Sequence, residues 1–428
     1  MRLIYTRDTG MDEARRLLSL PTGVTDPAVE QTVRTILDDV RVRGEDALIE
    51  HTQRLDSPHV NADNVRVSDS EIDQAMDEVD ADYLCAIRTA RQNIQEFHEF
   101  QKVNSWFDVS RPGLVRGQIV RPLDRVGVLA PGASAPLAST VLMTVVPAKV
   151  AGVPEVLVFT PPRRDGTVNP YVLAAARVAG ADAVFRCFGA QAVGAMAFGA
   201  GVIPRVDKIV GPGNSYVVTA KRLVYGYVDI EALPGPSEIL VLSDGSGVPA
   251  FAAADLLSQA EHPDGRAVLV TTSEAFARAT LAEIEGQLRH LPQDNFAQRS
   301  LDAYGLIVVT EALDEAFELA NLFAPEHLSL LVRNPMVHLS RIRSAGTLLF
   351  GDYTSKALDD YAAGPSHVLP TGGTARFASG LGLADFLRRT NVISFSAEAA
   401  LALAPVVERM ARAEGLPAHE HASSIRRP

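Results

Sequence analysis

Four polar clusters in this sequence hold residue types that do chemistry. In DLLSQAEH, residues 255–262, a helix places Gln259 and His262 three residues apart on one face, with Asp255 a turn earlier. An amide, an imidazole and a carboxylate then stand in a row, although a capped helix end before Pro263 has the same pattern. In APEHLSLLV, residues 324–332, Glu326 and His327 stand side by side where an apolar strand begins. A neighbouring carboxylate and imidazole supply acid and base functions at neutral pH, and a surface pair at a strand start fits the spacing equally. A third cluster, DDYAAGPSHVLPTGG at 359–373, sets Asp360 and His367 in a loop rich in glycine and proline. The fourth runs from Glu414 to His419 near the end of the chain. Two histidines, a carboxylate and a side-chain amide make an N/O ligand set of the kind zinc accepts.

Several familiar signatures are missing. The chain has no GxGxxG, so a nucleotide site does not follow from pattern. PGASAP at 131–136 and GPGN at 211–214 each follow a strand-like run and lead into a helix whose free N–H groups could hold a phosphate. Each reads equally as a tight turn. GxSxG, the P-loop and HExxH are also absent, which removes the common hydrolase, NTPase and metalloprotease readings. Only two cysteines occur, Cys85 and Cys187, outside any CxxC pair, so neither a disulfide framework nor a thiolate metal site is visible and a reducing cytosol is the expectation.

The elements that must position these clusters fall into an α/β pattern. Up to residue 124 the chain reads as mainly helical: Val33, Ile36, Leu37 and Val40 recur at helical spacing, and Ser68 with Glu71 forms a capping box. His51, His59 and His98 lie among charged neighbours there and read as solvated surface histidines. Over 125–236, short β-branched runs at 125–130, 155–160, 181–189 and 207–212 alternate with alanine-rich segments. The alternation resumes over 237–379 with runs at 238–244, 266–272, 305–310, 327–332 and 345–351. Two tandem, Rossmann-like, doubly wound parallel units follow. A helical tail over 380–428 is too short to fold alone and must dock on this subunit or a neighbour.

With 428 residues, 47% of them hydrophobic, the chain can bury a large core. A net charge of −12 with Lys and Arg dispersed argues against nucleic acid or an anionic membrane and favours a small-molecule substrate. From Val126 to Ala148 no residue is charged, but Pro131, Pro136 and Pro147 break the stretch, which reads as a buried strand, a loop and a packed helix. The start, MRLIYTRDTGMDEARRLL, is too charged for a secretory signal and reads as the first structured turns.

Eight blocks in order give the chain a resemblance to a known family. They are PAKVAGV at 147–153, FGAQAVGAMAFG at 188–199, VDKIVGPGNSYV at 206–217, GPSEILV at 235–241, DLLSQAEH at 255–262, APEHL at 324–328, HVLPT at 367–371 and LGLADFLRRT at 381–390. Through them the chain resembles the histidinol dehydrogenases over nearly its whole length. The resemblance implies one zinc ion held by Gln259, His262, Asp360 and His419, proton transfer by Glu326 and His327, substrate contacts from Ser237, His367 and Glu414 as well as from His327 and the metal ligands, and NAD contacts from Gln191 and Asn214. It also implies a homodimer in which the tail completes the partner's site. Departures border the pockets: Leu129 stands where the family carries an aromatic cofactor contact, Leu129 to Ala133 replaces its YVPGG or YIPGG, Glu231 and Leu233 alter its IDxxAGPSE, and Ser366 replaces the asparagine of NHVLPT.

The implied reaction takes L-histidinol through the aldehyde to L-histidine in two NAD-linked oxidations, with His327 removing the hydroxyl proton and Glu326 activating water. A paralogue that oxidises another small alcohol, such as a sulfonated diol, is the alternative. It would be marked by an extra basic residue in the pocket, and the sequence shows none. A catalytically silent binding protein would not keep six intact metal and proton-transfer positions.

Overall fold

The computed structural model describes residues 1–19, 26–132, 136–292 and 294–427, and divides them into two compact units. The first comprises Met1–Gln101 and Asp124–Phe386, the second Lys102–Leu123 and Leu387–Pro428.

The first unit contains two all-parallel sheets. One has five strands in the order Ala183–Phe185, Glu155–Phe159, Arg125–Leu129, Lys208–Val210, Asp229–Ile230. The other has six, in the order Arg2–Tyr5, Leu306–Val309, Arg266–Thr271, Glu238–Ser243, His327–Leu331, Thr347–Phe350. All nine β-branched runs seen in the sequence form strands. Parallel strands are buried on both faces, and the central strand Glu238–Ser243 shows why its sequence is apolar throughout. Leu240 and Leu242 enter one core cluster, and Ile239 and Val241 enter another on the opposite face. Fully burying each such side chain contributes about 1.5–3 kcal/mol.

The segment before residue 125 is put to three uses. Arg2–Tyr5, which had read as a first turn, pairs in parallel with Leu306–Val309 at the edge of the six-stranded sheet. The helix Pro27–Arg43 buries Val33, Ile36, Leu37 and Val40 in the core of the five-stranded sheet. Trp106–Asp108 and Leu114–Pro122 are strands of the second unit, and Leu114–Pro122 lies in the middle of its sheet, antiparallel to Trp106–Asp108 on one side and to Leu387–Phe395 on the other. The tail thus opens with a strand before its helices Ala397–Ala413 and Pro417–Ser424.

Ser68 and Glu71 form the capping box. The histidine reading needs correcting. His51 is buried against Asp39 at 2.8 Å, and His98 is buried with Nδ1 2.8 Å from the carbonyl of Ile94. Only His59 of the three is exposed. The uncharged stretch forms the strand Arg125–Leu129 and the helix Ala138–Ala151, and no helix among the described residues is long and apolar enough to cross a membrane.

Candidate active site

Four segments of the first unit converge at the amino ends of the six-stranded sheet. Strand pairing sets His327 opposite Ile239 on one side and Thr347 on the other, so Glu326–His327 and Ser237–Glu238 enter the sheet side by side. The helix Pro249–Ala260 carries Asp255 and Gln259, and the turn after it presents His262. That turn is tight. A Cβ on Gly265 would meet the carbonyl oxygen of Gln259 at 2.2 Å, so only glycine lets the chain fold back there. The helix Lys356–Tyr361 brings Asp359 and Asp360, and its first N–H donates to Asp255 Oδ1 at 3.1 Å. Asp255 therefore ties the helix Pro249–Ala260 to the helix Lys356–Tyr361.

Glu326 is held at one oxygen. Its Oε2 accepts from Ser237 Oγ at 2.5 Å and from the Glu238 N–H at 2.7 Å. The buried imidazole of His327 sets Nδ1 3.2 Å from the Glu238 carbonyl, which makes Nδ1 the protonated nitrogen and leaves Nε2 as the base. Nε2 lies 3.5 Å from Asp360 Oδ1 and 3.6 Å from Asp359 Oδ2. Burial alone would make His327 less basic, but the charges of Glu326 and Asp360 outweigh it and its pKa is raised. His367 donates from Nδ1 to the carbonyl of Asp360 at 2.8 Å, and its pKa is lowered by burial.

The surrounding carboxyls differ. Asp360 is held well below the usual carboxylate range because His327 and Lys356 outweigh its burial. Asp255 and Asp359 are pushed up to about 6 by burial. Glu238, fully buried with both carboxyl oxygens lacking a hydrogen-bond partner among the described residues, is pushed up to about 8 by burial and then by the charge of Glu326. Two of these groups escaped sequence reasoning. Glu238 reads there as the start of a strand, and Lys356, 1% exposed, reads as an ordinary helix lysine.

Two cavities meet at the segment Pro234–Ser237. A smaller one, about 180 Å³, is lined by Ser237, His262, Glu326, Lys356, Asp360 and His367 among others. A larger one, about 680 Å³, shares Ser237 and His262 and extends to Gly213 and Asn214. Asn214 follows the carboxyl end of the strand Lys208–Val210, where ligands of open α/β sheets collect. The helix it precedes is not free to bind a phosphate with all its first N–H groups, because Asn214 Oδ1 already accepts from Tyr216 and Val217 at 3.1 and 3.2 Å. Leu129 and Gln191 lie in the core instead, at 0% and 1% exposure, and Gln191 Nε2 donates to Asp56 Oδ2 at 3.0 Å. The PGASAP loop falls partly outside the described residues, Ala133 with it. Glu414 caps the helix Ala397–Ala413 and His419 lies in Pro417–Ser424, both exposed, in the second unit.

The donor types suit a borderline cation. His262, pushed down to about 4 by burial and then by the charge of Lys356, is neutral at pH 7 with a lone pair to give. Gln259 is fully buried, its Oε1 accepting only a long hydrogen bond from Ser237 Oγ at 3.4 Å and its Nε2 unpartnered among the described residues. Among the described residues no three His, Cys, Asp or Glu side chains form a ready metal cage, and His262 and Asp360 are the two that the implied set draws from this unit.

The doubly wound fold sets Glu326, 3.7 Å from His327, in the wall of a cavity that adjoins a larger one, an arrangement that suits an α/β dehydrogenase. The histidinol dehydrogenase family model matches residues 22–427. A histidinol dehydrogenase from Heliobacterium mobile is 48% identical over 94% of both chains, and one from Geobacter metallireducens is 45% identical over all of this chain and 98% of its own. The crystal structure of histidinol dehydrogenase from Elizabethkingia anophelis superposes with a TM-score of 0.94 at 36% identity, covering 100% of this chain and 98% of that one. The chain belongs to the histidinol dehydrogenase family.

Proposed function

We propose that this protein is a zinc-dependent, NAD-linked, cytoplasmic histidinol dehydrogenase of histidine biosynthesis, which oxidises L-histidinol through histidinaldehyde to L-histidine in sites shared between two subunits. The observation that carries the reading is the pairing of buried His327 with Glu326, which lines the smaller cavity, with a single basic nitrogen on His327 and one oxygen of Glu326 fixed by Ser237 and the Glu238 N–H.

Zinc would be held by Gln259, His262, Asp360 and His419 of the partner subunit, and would anchor the amine and imidazole of the substrate. NAD would lie in the larger cavity beside Asn214 and accept hydride in each oxidation. His327 Nε2 takes the hydroxyl proton of the alcohol and later that of the hydrated aldehyde, and the raised basicity of His327 suits this task near neutral pH. Glu326, immobilised at Oε2, orients the water that adds to the aldehyde and takes its proton. Ser237 keeps the carboxylate in place, His367 contacts substrate, and Glu414 from the partner's tail faces the substrate's cationic end. The tail's exposed apolar residues, Val406, Met410 and Ile425, are of the kind a second subunit covers.

One observation favours the alternative substrate class. Lys356 is a basic residue in the pocket, as an anionic small alcohol would require, although its ammonium already pairs with Asp360. Turnover of L-histidinol against a sulfonated diol separates the two readings. Metal dependence is tested by stripping the protein with a chelator and adding zinc back. Activity should vanish and return, and full turnover in metal-free protein would contradict the zinc assignment.

A further inference from the structure

We propose that Lys356 is a resident cation of this site which competes with a divalent metal for the Asp360 carboxylate and so sets how tightly the site holds metal. The inference rests on Gln259, His262 and Asp360 being metal ligands. Lys356 opens the helix Lys356–Tyr361, and its Nζ bonds Asp360 Oδ2 one turn further on. Its main-chain N–H is fastened to Asp255, on the helix that carries Gln259, which fixes the backbone from which the buried side chain reaches Asp360. The side chain lines the same cavity as His262, Glu326 and His367.

An ammonium buried to this extent needs a counter-charge, and Asp360 provides it. The same carboxylate is the one anionic ligand that this unit offers a metal. An incoming dication must therefore break or share the Lys356–Asp360 pair, and a unit positive charge remains beside it at a buried position, where repulsion is weakly screened. A second acceptor awaits the displaced ammonium on the same turn: Asp359 is buried, and its Oδ2 has no hydrogen-bond partner among the described residues. Lys356 is a positioning residue in this scheme, acting on the metal through Asp360.

The test titrates zinc into metal-free wild-type protein, Lys356→Met and Lys356→Arg, in competition with a chromogenic chelator, and follows melting with and without zinc. Lys356→Met should bind zinc at least about tenfold more tightly than wild type and gain more in Tm on adding it, while Lys356→Arg, which keeps the charge, should stay near wild type. Equal affinity in Lys356→Met and wild type overturns the role of Lys356 and leaves the ligand assignment standing. Weaker binding in Lys356→Met overturns it too, because the lysine would then be supporting the ligand array. No zinc binding in any form overturns the assignment and the inference with it. Should Lys356→Met fail to fold, Lys356→Gln takes its place in the same titration.

Discussion

At the scale of single residues, the site is a contest between burial and neighbouring charge. Glu238 is the clearest case, since its carboxyl is pushed up to about 8 by a fully buried position next to Glu326. A group whose folded pKa is raised contributes stability that is complete below its unfolded value, near 4.5, and is lost as pH rises through the folded value. Glu238→Gln keeps the shape without the charge, so it should be nearly neutral at pH 5 and stabilising at pH 8, by on the order of a few kcal/mol. Equal effects at both pH values, read from urea unfolding, would show the carboxyl to be ionised in the fold. His327→Ala should lower both oxidations about 10²–10⁴-fold. Glu326→Gln should spare the first and impair the second, with the aldehyde supplied directly to isolate that step, and equal losses in both would redivide the roles. The place of Glu326 and His327 at the start of an apolar strand was legible in the sequence, but their burial, which separates them from a surface pair, was not. Glu238 and Lys356 were not, since an acid opening a strand and a lysine opening a helix are ordinary until burial is known.

At the scale of elements, the strands were legible because parallel strands buried on both faces leave unbroken apolar runs. Arg2–Tyr5 was not, because its four residues gain strand character only from Leu306–Val309, some three hundred positions away. The turns were ambiguous for a similar reason: GPGN at 211–214 suits a turn or a phosphate loop until its contacts are seen. Those contacts are exacting. Gly211 has φ +109°, a Cβ there would meet the Leu129 carbonyl oxygen at 2.3 Å, its N–H donates to Glu231 at 2.8 Å, and its carbonyl accepts from buried Lys221 at 3.1 Å. Gly211→Ala should therefore cost about 1–3 kcal/mol and raise the KM for NAD. Gly286, inside the helix Glu274–Leu288 with open space around it, provides the contrast. Gly286→Ala should stabilise by about 0.5–1 kcal/mol and leave KM unchanged. Comparable losses of stability in both variants would remove the special status of the Gly211 turn.

At the scale of the whole molecule, the proposed site draws on two units, His419 and Glu414 from one and Glu326, His327, Gln259, His262 and Asp360 from the other, and the proposal takes the first pair from a second subunit. His262→Asn and His419→Asn, each inactive alone, should regain roughly a quarter of the wild-type sites when unfolded and refolded together, because half the dimers are mixed and each has one intact site. A mixture that stays inactive would place the tail on its own subunit. The parallel sheets were legible from the alternation of strands and helices, whereas the antiparallel sheet of the second unit was not, because its strands come from segments separated by most of the chain. The central claim, that one site carries an alcohol through its aldehyde to the acid, is tested most directly by counting NADH formed per L-histidinol consumed. The account predicts two NADH per substrate with no free aldehyde released. One NADH per substrate with the aldehyde accumulating, or no turnover of L-histidinol by zinc-loaded protein, would contradict it.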